Sequence, residues 1–230
     1  MFKNPLVVGY KGEIGSFILQ GLLKNMPKAN NIWCADINNS DKEVVDRIKK
    51  SDFIFLCIPI DKTLEWFQKY KKYLKNKVVI EQTSLKTGIF TPSEKWLGLK
   101  IVHMHLLFKP SGTPNPADRR CVLINNPFIN AKEGLFIRQI TNSAIINMDS
   151  IAEHDRQMAV QQALLHRTLL TLDKFLSRSE ANTFVAGKIK ELTNRVRTIH
   201  PHLFTIIQSN IFLPAILEDF KKELNNGCTL

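Results

Sequence analysis

The residues of this chain best suited to acid–base chemistry lie in one stretch, Ile101-Val102-His103-Met104-His105. The apolar residues around the two histidines indicate a buried strand, and on a strand His103 and His105 point to the same face. Only His105 stands at the end of this strand, where open α/β sheets bind their ligands. Because an imidazole can accept a proton near neutral pH, we expect His105 to take part in the chemistry. We expect His103 to be a hydrogen-bonded core histidine.

A second polar group follows the preceding predicted strand, in the segment Glu81-Gln82-Thr83-Ser84-Leu85-Lys86. The Ser84 hydroxyl can orient a substrate oxygen, and the Lys86 ammonium can attract an anion. We therefore expect both side chains to contact a substrate. An ordinary polar loop between a strand and a helix is the alternative for this segment.

Glycines follow the first apolar run of the chain at positions 9, 12 and 15. The pattern indicates a strand, a tight turn and a helix, although its first half is one residue longer than in G-x-G-x-x-G. Glycines allow a ligand to approach the backbone, and the start of the helix favours a pyrophosphate. The sequence therefore predicts a dinucleotide site, formed by Gly9, Tyr10, Lys11, Gly12, Glu13, Ile14 and Gly15. A glycine-rich turn in an unrelated α/β protein is the alternative.

Two further strand ends complete this predicted cofactor site. Asp36 ends the second strand about twenty residues after the last glycine, where a carboxylate binds the adenosine ribose. Since Asp36 would repel a 2′-phosphate, it favours NAD over NADP. Ile58 and Pro59 end the third strand, and we expect them to flank the nicotinamide riboside.

These residues must be positioned by elements that alternate between strand and helix up to about residue 150. Several of the strands are continuous apolar runs, which is typical of strands covered on both faces. The predicted strands are 5–9, 31–36, 52–58, 77–82, 99–104, 120–125 and 143–148, and the predicted helices are 13–25, 61–75 and 130–141, with a short one near 92–97. Residues 1–150 are thus predicted to form an α/β Rossmann-type, doubly wound and mostly parallel sheet that binds the dinucleotide.

The rest of the chain, residues 151–230, has helical patterns only, at 151–176, 181–198 and 203–224, with breaks at Pro201 and Pro214. We expect a small all-α domain that binds substrate and dimerises. Eighty residues make a thin core, and the first helix is long. A second copy of the chain could cover its other face, which predicts a homodimer.

The composition is that of an ordinary globular protein, with 44% hydrophobic and 23% charged residues. The longest apolar run, 53–60, is too short to span a bilayer, so no membrane partner is expected. The four cysteines lack C-x-x-C spacing, which indicates free thiols and a cytoplasmic location.

Two other classes of partner are also not expected. The net charge is +11, and the basic residues are densest at 69–77. We interpret this segment as a solvated helix face because no nucleic-acid-binding motif accompanies it. His154 and His166 are twelve residues apart, about 18 Å along a helix, so they cannot share a metal. No other spacing indicates a metal site.

Together these motifs resemble the prephenate dehydrogenase family of tyrosine biosynthesis. The similarity is closest to the type found in enterobacterial bifunctional proteins, here without a chorismate mutase segment. The resemblance rests on Gly9/Gly12/Gly15, Ser84-x-Lys86, His105-x-x-Phe108, Glu153-His154-Asp155-x-x-Met158-Ala159, Gln162-Ala163-Leu164-x-His166, Arg195 and Pro201-x-x-Phe204 to Asn210.

The resemblance implies oxidative decarboxylation of prephenate to 4-hydroxyphenylpyruvate with NAD or NADP. It implies that His105 takes the hydroxyl proton, while Ser84 hydrogen-bonds the same hydroxyl. Arg195 would hold a substrate carboxylate, and His166 would lie near the pyruvyl side chain. We also expect Asp155 to hold Arg195 in place. Lys86 and His154 are further expected substrate ligands. The family also implies an intertwined helical dimer.

Three positions depart from the family pattern. Leu106 and Lys109 replace a usual proline and glycine after the base, and Glu81 replaces a usual aspartate. An arogenate dehydrogenase is therefore an alternative, as is a catalytically weak homologue that binds dinucleotide and has a regulatory role. Retention of Ser84 and His105, together with His166 and Arg195, favours an enzyme.

Overall fold

The computed structural model describes residues 3–26, 31–91, 96, 98–113, 115–179 and 183–226. The chain divides into two compact units, Met1–Ile151 and Ala152–Leu230. Each is described here by itself.

The first unit is built on a seven-stranded sheet in the order β2-β1-β3-β4-β5-β6-β7. All neighbouring strands are parallel except β5 and β6, which are antiparallel. The strands are β1 (Pro5–Val8), β2 (Trp33–Ala35), β3 (Phe53–Leu56), β4 (Val78–Glu81), β5 (Lys100–Leu106), β6 (Arg120–Ile124) and β7 (Ala144–Met148). The predicted Rossmann-type, mostly parallel sheet is confirmed. Its strand order reverses at β1, so the carboxyl ends of β1 and β3 flank the crevice where such sheets bind ligands.

Five α-helices of this unit are described: α1 (Glu13–Asn25), α2 (Asp41–Lys50), α3 (Ile60–Tyr70), α4 (Thr87–Phe90) and α5 (Ala131–Thr141). Helix α2 was not predicted. It buries only Val44 and Ile48, and its other residues are mostly charged, so its apolar periodicity is weak. Its start is marked instead by a capping box between Ser40 and Glu43. The helix predicted near 92–97 falls largely outside the described residues.

Buried side chains form a core on each face of this sheet. One cluster joins Leu6, Ile54 and Val79 to the aromatic residues of α3. The other joins Val7, Phe53 and Phe55 to α1 and α5. Since Leu6 and Val7 belong to opposite clusters, the strand buries both of its faces. The sheet is therefore packed by helices on both of its faces.

The second unit is helical in all of its described elements. These are α6 (Ile151–Met158, which begins at the last residue of the first unit), a π-helical segment (Ala159–Leu164), α7 (Leu165–Leu176), α8 (Phe184–Arg197), α9 (Pro201–Gln208) and α10 (Leu213–Asn225). The segment predicted as one regular helix over 151–176 thus contains a π-helical turn. Prolines 201 and 214 lie in the first turns of α9 and α10, where the missing N–H costs nothing.

Helices α7 and α8 pack against each other through polar as well as apolar side chains. Thr193 Oγ1 donates to the Leu169 carbonyl at 3.2 Å, and Arg197 pairs with the nearly buried Asp173 at 2.6 Å. Among the described helices, no single one is long and apolar enough to cross a membrane. The α9–α10 pair, bent by 75°, meets that criterion jointly.

Candidate active site

The turn between β1 and α1 is shaped by two glycines that no other residue could replace without movement. Gly9 has a φ of 79°, and a Cβ placed on it would lie 2.3 Å from the Cys57 carbonyl oxygen. A Cβ on Gly15 would lie 2.0 Å from the Gly9 carbonyl oxygen. Gly12 is the N-cap of α1 and provides no side-chain cap. The first turn of α1 thus presents backbone N–H groups, which fits a pyrophosphate.

Asp36 lies beside this turn, as a ribose ligand would. Its Oδ2 accepts a hydrogen bond from Lys11 N at 3.0 Å, and its Oδ1 accepts one from Ile37 N at 2.8 Å. Each carboxylate oxygen has a second lone pair, so both can still accept a ribose hydroxyl. The Gly9–Gly15 turn and Asp36 therefore fit a dinucleotide.

The carboxyl end of β3 forms the other side of the crevice. Ile58 lies against the turn, with its Cγ2 3.3 Å from the position of a Cβ on Gly9, and Pro59 precedes α3. Gln82 Nε2 contacts Cys57 Sγ at 2.8 Å. Burial raises the pKa of the Cys57 thiol to about 12, so this cysteine stays protonated and unreactive at neutral pH. Cys34, Cys57 and Cys121 are free thiols, and Cys228 lies outside the described residues.

A buried polar network lies between the ends of β4 and β5. Glu81, directly opposite His103 across the two strands, is fully buried. One of its oxygens accepts from Thr83 N at 2.8 Å and from Thr83 Oγ1 at 2.6 Å. The other lies 2.6 Å from Lys86 Nζ and 2.7 Å from His103 Nδ1. Burial alone would raise the pKa of Glu81, but Lys86 and His103 lower it to about 2. The carboxylate is therefore ionised, and His103 is hydrogen-bonded as expected.

Lys86 belongs to this network, whereas the sequence analysis expected it to contact a substrate. Its side chain is fully buried. The ammonium donates to Glu81 and also, at 3.0 Å each, to the Thr83 and Met104 carbonyl oxygens. An ammonium has three protons, and three protein acceptors match them. This arrangement argues against Lys86 as a direct substrate ligand.

Ser84 lies in the loop after β4, and His105 lies near the carboxyl end of the neighbouring strand β5. Ser84 is half-buried and lies three residues beyond the end of β4. His105 is the second-last residue of β5, is 4% exposed and stands opposite Val122 of β6. Since β4 and β5 are adjacent and parallel, both residues lie at the carboxyl edge of the sheet, as predicted. Their chemical roles stay predictions.

The loop after β5 docks on the first turn of α1, a contact that the sequence analysis did not predict. Glu13 accepts from Ser111 N at 2.8 Å and lies 3.6 Å from Lys109 Nζ. The Phe108 ring packs edge-on against Phe17 of α1 at 5.6 Å. Partial burial acts to raise the pKa of Glu13, but the Ser111 hydrogen bonds and the Lys109 charge lower it. Lys109, one of the departures from the family, thus contacts a residue of the predicted cofactor site.

In the helical unit, the contacts of His154 and Asp155 differ from the predicted ones. His154 is fully buried, with Nδ1 2.7 Å from Asp155 Oδ1, which argues against a direct contact with substrate. Asp155 is fully buried as well, and its carbonyl accepts from Asn210. Arg195 is instead paired with Glu191, one turn earlier on α8, at 3.2 Å. The contacts therefore do not support the expectation that Asp155 positions Arg195, which stays a prediction.

Arg195 and His166, the other two predicted ligands of this unit, each keep polar atoms for further hydrogen bonds. The Arg195 side chain is 69% exposed. The His166 ring stacks on Phe204 with the centroids 6.4 Å apart. Its Nδ1 is buried without a hydrogen-bond partner among the described residues, and burial lowers the pKa of His166, so the ring is neutral at neutral pH. Across the described residues, no group of three or more His, Cys, Asp or Glu side chains could hold a metal.

The fold and the match to a nucleotide-binding domain support the assignment of this chain to the NAD(P)-dependent oxidoreductases. Residues 24–121 match the family described as prephenate dehydrogenase, nucleotide-binding domain. The matched segment contains Ser84, Lys86 and His105, whereas His154, His166 and Arg195 lie outside it. No curated protein sequence matches the chain significantly.

Solved structures of several enzymes share the fold. A prephenate dehydrogenase from Aquifex aeolicus is 20% identical, with a TM-score of 0.71 over 97% of this chain and 90% of that one. An arogenate dehydrogenase from Synechocystis is 19% identical, with a TM-score of 0.65 over the same shares. A pyrroline-5-carboxylate reductase from Coxiella burnetii is 16% identical, with a TM-score of 0.53 over 98% and 92%. Because enzymes of different activity share the fold, the fold alone does not select the substrate.

Proposed function

We propose that this chain catalyses the oxidative decarboxylation of prephenate to 4-hydroxyphenylpyruvate in tyrosine biosynthesis, with NAD as the hydride acceptor. One observation carries the proposal. The segment that matches the prephenate dehydrogenase domain contains both Ser84 and His105, at the carboxyl ends of adjacent strands.

The chemistry divides among a few side chains. His105 takes the proton of the reacting hydroxyl, and Ser84 hydrogen-bonds that hydroxyl and orients it. A nicotinamide cofactor held by the Gly9–Gly15 turn and Asp36 would supply the acceptor for the hydride that leaves the same carbon. Loss of the ring carboxylate as carbon dioxide then makes the ring aromatic. We propose Arg195 as the ligand of a substrate carboxylate and His166 as the neighbour of the pyruvyl side chain.

The preference for NAD over NADP rests on Asp36, whose carboxylate lies at the turn before α1. A 2′-phosphate beside it would be repelled, whereas a 2′-hydroxyl can donate to it. We expect Asp36→Ser to raise the KM for NAD and to narrow the preference for NAD over NADP. Initial rates with each cofactor measure this, and a wild-type protein that uses NADP more efficiently than NAD would refute it.

Arogenate is the second candidate substrate. It differs from prephenate in carrying an amine in place of the keto group. Leu106 ends β5 and Lys109 lies in the loop after it. Both depart from the family pattern, and Lys109 contacts Glu13. The Synechocystis arogenate dehydrogenase shares the fold over 97% of this chain.

The experiment that separates these candidates is the formation of NADH by the purified protein with prephenate, then with arogenate. Faster turnover of prephenate supports the proposal, and turnover of arogenate alone supports the second candidate. A regulatory homologue would bind NADH, seen by fluorescence titration, but would oxidise neither compound.

We further propose a homodimer formed through the helical unit. Its helices α7 and α8 expose a large share of their apolar side chains, namely Leu165, Leu172, Phe175, Phe184, Val185 and Leu192. Met158 and Leu169, on the same long helical segment, are buried. An exposed apolar surface of this kind is typical of an interface.

A further inference from the structure

One buried ammonium group contacts the residues that precede both proposed catalytic residues. Lys86 Nζ donates to the Thr83 carbonyl, and Thr83 is followed by Ser84. It also donates to the Met104 carbonyl, and Met104 is followed by His105. Thr83 lies in the loop after β4 and Met104 lies on β5, so a single side chain bonds two separate segments of backbone.

We propose that Lys86 is a positioning residue, whose ammonium fixes the spacing between the Ser84 hydroxyl and the His105 imidazole. This inference rests on the proposed function, because it concerns the same two side chains. Lys86 touches neither substrate nor cofactor in this role and acts through the backbone on either side of the site.

Glu81 makes this arrangement possible. A buried ammonium without a counter-charge is strongly unfavourable, and the Glu81 carboxylate, 2.6 Å away, supplies that charge. Glu81 is itself held by the Thr83 amide and hydroxyl and by His103. Because each member of the network has partners, the network has one geometry rather than several. Small changes of geometry matter here, since a misplacement of about 1 Å can cost about 100-fold in rate.

The test is the double variant Glu81→Gln/Lys86→Met. Lys86→Met alone would leave the buried Glu81 carboxylate without its ammonium counter-charge and could prevent folding, whereas removal of both charges together is often tolerated. We expect the double variant to bind NADH with an unchanged Kd, since it leaves the turn before α1 intact. We expect its kcat to fall by at least about tenfold, with little change in the KM for the substrate.

Lys77 supplies a matched control. Its ammonium also joins two carbonyls, those of Lys49 and Ser51, but it lies at the amino end of β4, away from the site. Lys77→Met should leave kcat unchanged, even where it lowers stability. Glu81→Asp keeps the charge pair with a shorter side chain, and it should retain more of kcat than the double variant.

A crystal structure of the double variant provides a readout that does not depend on the substrate. We expect the distance between Ser84 Oγ and the His105 ring to differ from that in the wild-type crystal by about 1 Å or more. An unchanged distance overturns the positioning role, as does a double variant with wild-type kcat. If the wild-type protein oxidises neither prephenate nor arogenate, the proposed function fails, and the crystal structures still decide the role of Lys86.

Discussion

His105 and Arg195 are expected to act at different points of the reaction. A general base acts on the proton that moves in the transition state, and such groups contribute about 100- to 10,000-fold in rate. An arginine that pairs with a carboxylate already present in the substrate stabilises the ground state and the transition state to the same extent. Replacing each residue should therefore change a different kinetic constant.

His105→Asn should lower kcat by at least about 100-fold with little change in KM, and the pH dependence of kcat near neutrality should vanish. Arg195→Gln should chiefly raise the KM for prephenate. Steady-state kinetics over the neutral pH range measure both. His202→Asn, a change at an exposed histidine of α9, is the control and should leave kcat unchanged. Near-normal kcat in His105→Asn with loss of kcat alone in Arg195→Gln would show that the roles are wrongly assigned.

Glu81 should make the stability of the protein depend on acidity. The pKa of Glu81 in the folded protein is about 2, below its ordinary value of 4.5. Its contribution to the free energy of unfolding is therefore fully present above 4.5 and is lost as the pH falls from 4.5 towards 2. The pKa difference corresponds to on the order of 3 kcal/mol.

Urea unfolding of the wild type and of Glu81→Gln/Lys86→Met over this pH range measures that contribution. The wild type should lose more stability on acidification than the double variant does. Equal losses in the two proteins would mean that the network does not hold the Glu81 carboxylate ionised.

The chemistry of single residues could be predicted where it depends on a strand end, and less well where it depends on packing. The positions of His103 and His105 along β5 distinguish their expected roles. The position of Asp36 after β2 likewise indicates its role at the cofactor site. Lys86 has a long side chain that can point into solvent or into the core, and only the positions of Glu81 and Met104 determine which. Register could have given a partial signal, because Glu81 and His103 are polar residues in two adjacent apolar strands.

At the scale of elements, all seven strands were predicted. Several of them, such as β3, were recognisable because buried parallel strands leave continuous apolar runs in the sequence. Helix α2 was missed because its buried face consists of two residues. The π-helical segment Ala159–Leu164 was missed because its residues have ordinary helical propensities, and no residue in it marks the wider turn. Such segments are frequently found at functional sites, and this one ends two residues before His166.

The packing of α1 against α5 depends on a glycine whose importance the sequence did not indicate. A Cβ on Gly21 would lie 2.1 Å from the Ile140 carbonyl oxygen, whereas one on Gly134 of α5 would meet nothing within 4 Å. Gly21→Ala should therefore destabilise the protein although alanine favours helices. Gly134→Ala should stabilise it, by up to about 1 kcal/mol. Thermal or urea unfolding compares the two, and a stabilising Gly21→Ala would contradict the close packing of these helices.

At the scale of the whole molecule, the exposed apolar side chains of α7 and α8 predict a homodimer at micromolar concentration. Phe175 is 60% exposed, and Phe175→Asp should shift the protein towards monomer because a carboxylate would be buried at the interface. Phe128→Asp, at an exposed position of the first unit, is the matched control and should leave the mass unchanged. Light scattering gives the mass, and a monomeric wild type would refute the assembly.

The most direct measurement compares NADH formed with 4-hydroxyphenylpyruvate formed when purified protein, NAD and prephenate are incubated together. If the chain carries out oxidative decarboxylation, the two products should appear in equal amounts with the wild type. His105→Asn, tested under the same conditions, should form both at least about 100-fold more slowly. NADH binding without formation of either product from prephenate by the wild-type protein would contradict the proposed function.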